Sequence, residues 1–514
     1  MKASFGPRDS GRSCITRRQF LATGSTCAVV ASVVPAAVLG RGGDLSPNSR
    51  LNIAFVGVGS QGLRVMIEFL KQPDVQGVAV CDPVRSAADY PQWGQSEFAN
   101  AVHRLLGVSS GWEWLSPNSP MIQLTPTQSV PAGVAGREPC QKIVNAWNAK
   151  RIGTTNYRGC SAYADYRELL DKERDIDAVV VGTTDVLHAP VAIAAMLRKK
   201  HVYCQKPMAH SIHAARRMAE LATETGVATQ VAVGTQATED TRRLCEWIAA
   251  GAIGKVREVI NWSNRPVWPQ GLPTPSKGEP VPEGLDWDLW LGPAPERPYH
   301  HCYLPFVWRG WYDFGCGAIG DMGCYSIDII YRALKLNPPV AAQGSSSERF
   351  PDSFPKACAI HLEFSAREDM PPVKLHWYDG GLLPERPTGW EEDSPMPAEG
   401  MMFIGDDGIL HCGFTGGQMR LIPKAKMQSF KEPPKTLPRS PGNEREWLDA
   451  CKGGKNRPGA EFVHSAAVTE ALLLGNIAVR TGERVRWNSK AMKLTGSEAA
   501  QALVHPPARS GWLL

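Results

Sequence analysis

Two textures of apolar patterning divide the chain. From Leu51 to Gly234, short apolar runs alternate with stretches whose apolar residues recur every three or four positions. Leu51 to Val56 reads as a buried strand, the spacing of Leu63, Met66, Ile67 and Leu70 as a helix, and Gly77 to Cys81 as a second strand. The pattern resumes with a helix from Tyr163 to Leu170, a strand from Ile176 to Gly182, a helix from Val186 to Arg198 and a strand from His201 to Cys204. A helix from Ser211 to Thr225 and a strand from Val227 to Val233 complete it. Such alternation predicts a doubly wound, open parallel sheet with crossover helices.

After Gly234 the pattern changes to strands with short connections. Helices are expected at Thr241 to Ala250, Gly317 to Leu336 and Glu461 to Thr481. Strands are expected at Val256 to Ser263, Cys358 to Phe364, Val373 to Tyr378, Met401 to Ile404, Gly408 to Cys412 and Met419 to Pro423. A Pro- and Trp-rich loop from Pro266 to Pro298 precedes them. This half predicts an α+β domain with an open, largely antiparallel sheet. Between the first two units, Val84 to Gly159 shows no sustained period, and we expect an insertion there with helices at Ser96 to Leu106 and Gln141 to Ala149, serving as a lid or an oligomer contact. The expected organisation is an N-terminal segment over 1–40, a parallel-sheet domain over 49–233 carrying the insertion 84–159, and an α+β domain over 234–490.

Charge adds a targeting signal and removes a class of partner. The formal net charge is +5, but Lys2, Arg8, Arg12, Arg17 and Arg18 stand against Asp9 alone, which leaves the body of the chain close to neutral. That body offers little electrostatic drive toward nucleic acid. Thr16-Arg17-Arg18-Gln19-Phe20-Leu21 precedes a weakly apolar stretch interrupted by Gly24, Ser25, Thr26 and Pro35 and ends in the small residues Ala36, Ala37 and Gly40. It resembles a twin-arginine leader, so a bacterial, exported, periplasmic protein is expected, with no stable membrane insertion once the leader is removed. Of thirteen cysteines, two lie in the leader, and the rest form no C-x-x-C pair and no Cys/His cluster at zinc spacing. Free buried thiols and no metal site are expected.

Gly57-Val58-Gly59-Ser60-Gln61-Gly62 joins the first strand to the first helix, and Asp82 ends the second strand twenty residues after Gly62. Each part has a physical task. Gly57 permits the tight turn, Gly59 lets backbone approach a pyrophosphate, Gly62 allows close packing of helix on strand, and the helix N-terminus attracts the phosphates. Asp82 at the ribose hydroxyls favours NAD, while Arg85 beside it leaves NADP open. His201-Val-Tyr-Cys-Gln205-Lys206-Pro207 places Lys206 at the carboxyl end of a parallel strand, the edge where such sheets bind ligands. Burial and a cofactor's positive charge would lower its pKa there and suit it to handling a hydroxyl proton.

These motifs, with the Asp177 to His188 unit and the helix Gly317-Ala-Ile-Gly-Asp321-Met-Gly-Cys-Tyr325-Ser-Ile-Asp328, resemble the Gfo/Idh/MocA oxidoreductases over roughly residues 50–82 and 160–490. The resemblance implies an N-terminal Rossmann domain, a C-terminal open-sheet domain, NAD or NADP, and a small carbohydrate or polyol as substrate. It implies cofactor contacts from Gly57, Gly59, Ser60, Gln61, Gly62, Asp82, Thr184, His188 and Gln205, with a homo-oligomeric assembly expected. Three positions depart from the family pattern: Gln205 stands where Glu is usual before Lys-Pro, Tyr325 where His is usual, and Thr184 where Pro is usual. Tyrosine as the acid/base resembles the glucose-fructose oxidoreductase type. Asp321, Tyr325 and Asp328 fall at i, i+4 and i+7, one face of an α-helix. Gly317, Gly320 and Gly323 would keep that face open to substrate.

Lys206, Tyr325 and Asp321 are therefore the candidate catalytic residues, with Trp308, Arg309 and Asp328 as candidate substrate contacts. Trp290, His300, His301, Trp311 and Asp313 extend an aromatic and polar stretch suited to a sugar. The expected reaction is hydride transfer between a sugar, glycoside or cyclitol hydroxyl and the nicotinamide. A glycoside-cleaving cycle through transient oxidation, and a non-catalytic binding homologue, are the alternatives. Export adds an expectation: an envelope compartment keeps no NAD pool, so the cofactor would be loaded before transport and held tightly.

Overall fold

The computed structural model describes residues 49–117, 121–125, 128–154 and 157–512; the expected leader lies outside the described residues. β1 (Leu51–Val56) leads through the helix Ser60–Leu70 to β2 (Val75–Cys81). The chain then leaves this layer for a separate antiparallel sheet of β3 (Ala87–Pro91), β4 (Met121–Thr125) and β5 (Gln128–Ala135), ordered β3-β5-β4. It returns along the helix Arg137–Ile152 to β6 (Ser161–Tyr163), β7 (Ala178–Val181), β8 (His201–Cys204) and β9 (Thr229–Val231). The first sheet is ordered β6-β2-β1-β7-β8-β9 and every pairing is parallel. This is the doubly wound Rossmann arrangement the alternation predicts.

The expected insertion over 84–159 is too long. Asn148 on the helix Arg137–Ile152 donates through Nδ2 to Gly77 O at 2.9 Å, and Val144 packs against Gly77 in β2. That helix is the crossover from β2 to β6, so the extra chain is residues 84–136. Its helix, Glu97–Leu106, lies where expected, whereas its three-stranded sheet was not foreseen.

The second sheet has nine strands: β10 (Val256–Trp262), β11 (Ala341–Ser346), β12 (Cys358–Phe364), β13 (Val373–Tyr378), β14 (Gly400–Gly405), β15 (Gly408–Cys412), β16 (Arg420–Ile422), β17 (Val485–Asn488) and β18 (Lys493–Thr495). Only β10 with β13 is parallel; the other neighbours are antiparallel. β12 shows why one face is covered: Cys358, Ile360, Leu362 and Phe364 alternate inward. The expected end at 490 is early, since β18 and the helix Glu498–Val504 follow.

The two layers share elements. Phe462 and Ala466 of the helix Phe462–Thr481 join the core of the first sheet, and Leu472, Leu474 and Ala478 join that of the second. This helix is long and apolar enough to cross a membrane, but 83% of its apolar window is buried inside the protein. Trp447, on the helix Asn443–Cys451, returns to pack edge-on against Phe69 and Tyr203 of the first layer. The eleven cysteines among the described residues are all free thiols.

Candidate active site

A cleft of about 560 Å³ opens at the carboxyl ends of β1, β7 and β8. Gly57 leaves β1 at φ +81°, and a Cβ there would lie 2.4 Å from Thr183 N on the exit of β7. At Gly62 a Cβ would lie 1.9 Å from Gly57 O, so only glycine lets the helix start this close to the strand. The helix Ser60–Leu70 begins without a side-chain cap, which leaves its first-turn N–H groups for an anion. Gly57, Gly59, Ser60, Gln61, Asp82, Thr184, His188 and Gln205 all line the cleft; Gly62 lies behind the turn.

Asp82 has a second task that the sequence did not show. Its Oδ2 accepts from Val58 N–H at 2.8 Å and its Oδ1 from Val84 N–H at 2.9 Å, so it holds the glycine turn as well as facing the cleft. Burial pushes its pKa up to about 6, against the pull of those two donors. Gly59, expected to be bare for a pyrophosphate, is met by Tyr90 of the extra segment, whose Cε1 would be 2.7 Å from a Cβ there. Tyr90, Trp93 and Gln128 all line the cleft, and Trp93 meets Phe306 of the second layer edge-on at 5.4 Å. Ser60 Oγ and Thr184 Oγ1 are buried on the cleft wall without a hydrogen-bond partner. Uncapped N–H groups, a glycine turn and two orphaned hydroxyls are the donor set that a dinucleotide satisfies.

Lys206, at the exit of β8, donates through Nζ to Asp321 Oδ1 at 2.7 Å and to Asp321 O at 2.8 Å. Arg309 Nε donates to the same Oδ1 at 3.0 Å, and Lys206 Nζ stands 5.0 Å from the centre of the Tyr325 ring. Burial alone would pull the Lys206 pKa down, as the sequence led us to expect, but Asp321 and then Tyr325 outweigh it and the net shift is upward. Lys206 is a fixed cation. Burial would likewise raise Asp321, yet Lys206 and Arg309 hold it at about 2. Tyr325 is raised by burial, with Lys206 offsetting part of the effect, so at neutral pH it carries its proton. His188, lowered to about 4 by burial, is neutral, with Nδ1 2.7 Å from Pro207 O.

Asp328, expected as a substrate contact, does not line the cleft. The helix opens with a π turn, Ile319–Gly323, before the α-helix Cys324–Leu334. A turn closed i to i+5 holds more residues than an α turn, so the i, i+7 relation no longer marks one face. Asp321 and Tyr325 face the cleft, whereas Asp328 is buried against Arg332 Nε at 2.7 Å and His464 Nε2 at 2.7 Å. The glycines differ from expectation too. Gly317 packs on Phe354, Gly320 on Cys316 and Gly323 on Ile319 and Leu472, so they let the turn pack rather than let substrate approach.

Trp308 and Arg309 line the cleft, stacked at 4.2 Å, together with Trp290, Trp268 and Phe306. Trp311 is core, its indole N–H donating to Cys302 O at 2.8 Å, and Asp313 pairs with Arg297. His300 and His301 turn to Glu279 instead of the cleft. Sequence reasoning missed Tyr90, Trp93, Gln128 and Trp268; their tryptophans in aperiodic loops were the only available signal.

Residues 136–233 match the family model described as oxidoreductase family, NAD-binding Rossmann fold, and residues 253–354 match the one described as oxidoreductase family, C-terminal alpha/beta domain. The first match begins where the crossover helix re-enters the sheet. A 1,5-anhydro-D-fructose reductase of Ensifer adhaerens is 28% identical over 184 residues, 35% of this chain and 44% of that protein. An inositol 2-dehydrogenase of Rubrobacter xylanophilus is 33% identical over 104 residues, 20% of this chain and 29% of that one. The alignments thus span less than half the length of either relative. The WlbA dehydrogenase of Bordetella pertussis, solved in complex with NADH and UDP-GlcNAcA, superposes with a TM-score of 0.51 at 13% identity, covering 85% of this chain and 99% of that one, and shows the shared fold. The chain is thus similar to the Gfo/Idh/MocA oxidoreductases over two stretches, which fall in order on the two sheets described above.

Proposed function

We propose that the protein is an exported NAD-dependent oxidoreductase acting on a hydroxyl-bearing carbon of a sugar, glycoside or cyclitol. The observation that carries this reading is the convergence, in one cleft, of the glycine turn with Lys206, Asp321 and Tyr325. When bound, the nicotinamide supplies the hydride acceptor or donor. The chain supplies alignment and proton handling. Lys206 and Tyr325 hold the reacting oxygen between a cation and a neutral hydroxyl; Tyr325 gives its proton to a developing alkoxide, and Lys206 stabilises the tyrosinate that remains. Asp321 keeps Lys206 charged and aimed. Trp290, Trp308 and Trp268 offer apolar faces for a sugar ring, with Arg309 at its edge.

The cover provided by Tyr90 over the glycine turn supports a retained cofactor, and Asp82 supports NAD over NADP. The twin-arginine motif supports export of the loaded protein, and a homo-oligomer is part of the proposal. A retained cofactor must return to its starting state. Coupled oxidation and reduction of two sugars satisfies this. So does glycoside cleavage, in which a carbinol is oxidised, the acidified neighbouring C–H and the leaving group are lost by elimination, and the carbonyl is reduced again. The intact Lys206, Asp321 and Tyr325 set argues against a non-catalytic binder. Lys206→Ala tests the reading: turnover should fall at least about 100-fold while nucleotide stays bound, and near-normal turnover would overturn it.

A further inference from the structure

Two segments of the Pro/Trp-rich region meet on the outer side of the cleft wall. Glu279 N–H donates to Tyr299 O at 2.7 Å, which aligns the segment around residue 279 with the one around residue 300. Three side chains then converge. His301 Nδ1 lies 2.8 Å from Glu279 Oε1, His300 Nε2 lies 3.6 Å from the same oxygen, and one ligand atom from each residue falls within 4.8 Å of the others. The two imidazoles are nearly parallel, 4.5 Å apart and 28° from coplanar, so both present their edges to one carboxylate. His301 N–H also donates to Glu279 Oε2 at 2.8 Å, which pins the carboxylate's orientation.

We propose that Glu279, His300 and His301 form a binding site for a divalent transition-metal ion of the zinc class. Tetrahedral zinc with nitrogen and oxygen ligands at about 2.0–2.2 Å puts neighbouring ligand atoms about 3.4 Å apart, and the observed separations of 2.8 and 3.6 Å bracket that edge. Two imidazoles and one carboxylate suit zinc, copper or nickel better than calcium or magnesium, which prefer all-oxygen shells. Three protein ligands leave a fourth position for water. His300 Nδ1 accepts from Cys302 N–H at 3.2 Å, so metal capture at Nε2 moves the ring proton to Nδ1 and gives up that bond. Sequence spacing could not reveal the site, because Glu279 and the histidine pair are about twenty residues apart with an aromatic loop between them.

The ion would cross-link the two segments just ahead of Leu304, Pro305 and Phe306, which form part of the cleft wall. The site is therefore assigned a bracing role for that wall, independent of the chemistry at Lys206.

The test is zinc titration of the full chain, stripped with chelator and desalted, in competition with a chromophoric chelator. One Zn²⁺ per chain at a Kd of about 1 µM or tighter is expected, weakened at least about tenfold in His301→Ala and in Glu279→Gln. His361→Ala, a histidine on β12, should leave that affinity unchanged and controls for adventitious capture. Cobalt substituted at the site should give visible absorption bands that disappear in a His300→Ala, His301→Ala double variant of unchanged circular dichroism. Absence of saturable Zn²⁺ binding, or binding of equal affinity and stoichiometry in the double variant, would overturn the proposal.

Discussion

Asp321→Asn isolates the charge at the centre of the site. The carboxamide keeps an oxygen to accept from Lys206, so what is lost is the negative charge between two cations. In the folded chain this carboxyl is held at about 2 against an ordinary 3.8; burial alone would raise it, and Lys206 and Arg309 more than reverse that. At about 1.4 kcal/mol per tenfold, the folded state favours the ionised form by roughly 2 kcal/mol. Because the folded value lies below the unfolded one, this stability is fully present above pH about 4 and is lost as pH falls through about 2. Asp321→Asn should therefore lower stability by roughly 2 kcal/mol at pH 7, and the gap to the parent protein should shrink to about half at pH 3. The variant also removes the largest influence opposing the burial of Lys206, so its pKa falls and the alkaline limb of the rate profile moves toward neutrality. Urea denaturation of both proteins at the two pH values, with rate profiles on any active substrate, measures this. A gap absent at pH 7, or equally large at pH 3, would refute the assignment of Asp321 as the counter-charge.

Further outcomes follow from the same geometry. Tyr90→Ala should speed loss of bound nucleotide at least about tenfold, equivalent to about 1.4 kcal/mol; an unchanged release rate, measured by dilution and filtration, would mean the extra segment is not the cover. Asp82→Ser should narrow the preference for NAD over NADP in binding titrations and, by orphaning Val58 N–H and Val84 N–H, should cost about 1–3 kcal/mol of stability; in the parent protein, NAD affinity should fall as pH drops through about 6, where Asp82 takes up its proton. Tyr325→Phe should lower turnover by about 10²–10⁴-fold and abolish the rise of the oxidation rate with alkaline pH; a profile that keeps its shape would move the proton role to another group.

The parallel sheet was legible because strands buried on both faces are written as unbroken apolar runs, as in Ala178–Val181. β11 was not, since Ala-Ala-Gln-Gly-Ser-Ser has no apolar alternation of its own and is placed by pairing with β12 and β17. β6 is three residues long, too short to show a period. Lys206 and Asp82 could be placed from strand ends alone, whereas the position of Asp328 depended on a helical period that the π turn breaks. Tyr90 and Trp93 reach the cofactor cleft from a segment whose strands include Pro91 and Pro131, and nothing local marks them as functional. The charge state of Lys206 was misjudged for a related reason: its burial was inferable from the strand, but the ion pair with Asp321 joins residues 115 positions apart.

The central claim, that this cleft holds NAD and turns it over on a sugar, is tested most directly on the protein as purified. After desalting, denatured protein should release nicotinamide nucleotide close to one per chain, and adding members of a sugar, glycoside and cyclitol panel to the native protein should change the near-ultraviolet absorbance of that bound nucleotide. Reversal by a second sugar would complete the redox-neutral cycle. Protein that releases no nucleotide, exchanges added NAD rapidly at millimolar concentration and shows no absorbance change with any panel member would contradict the account.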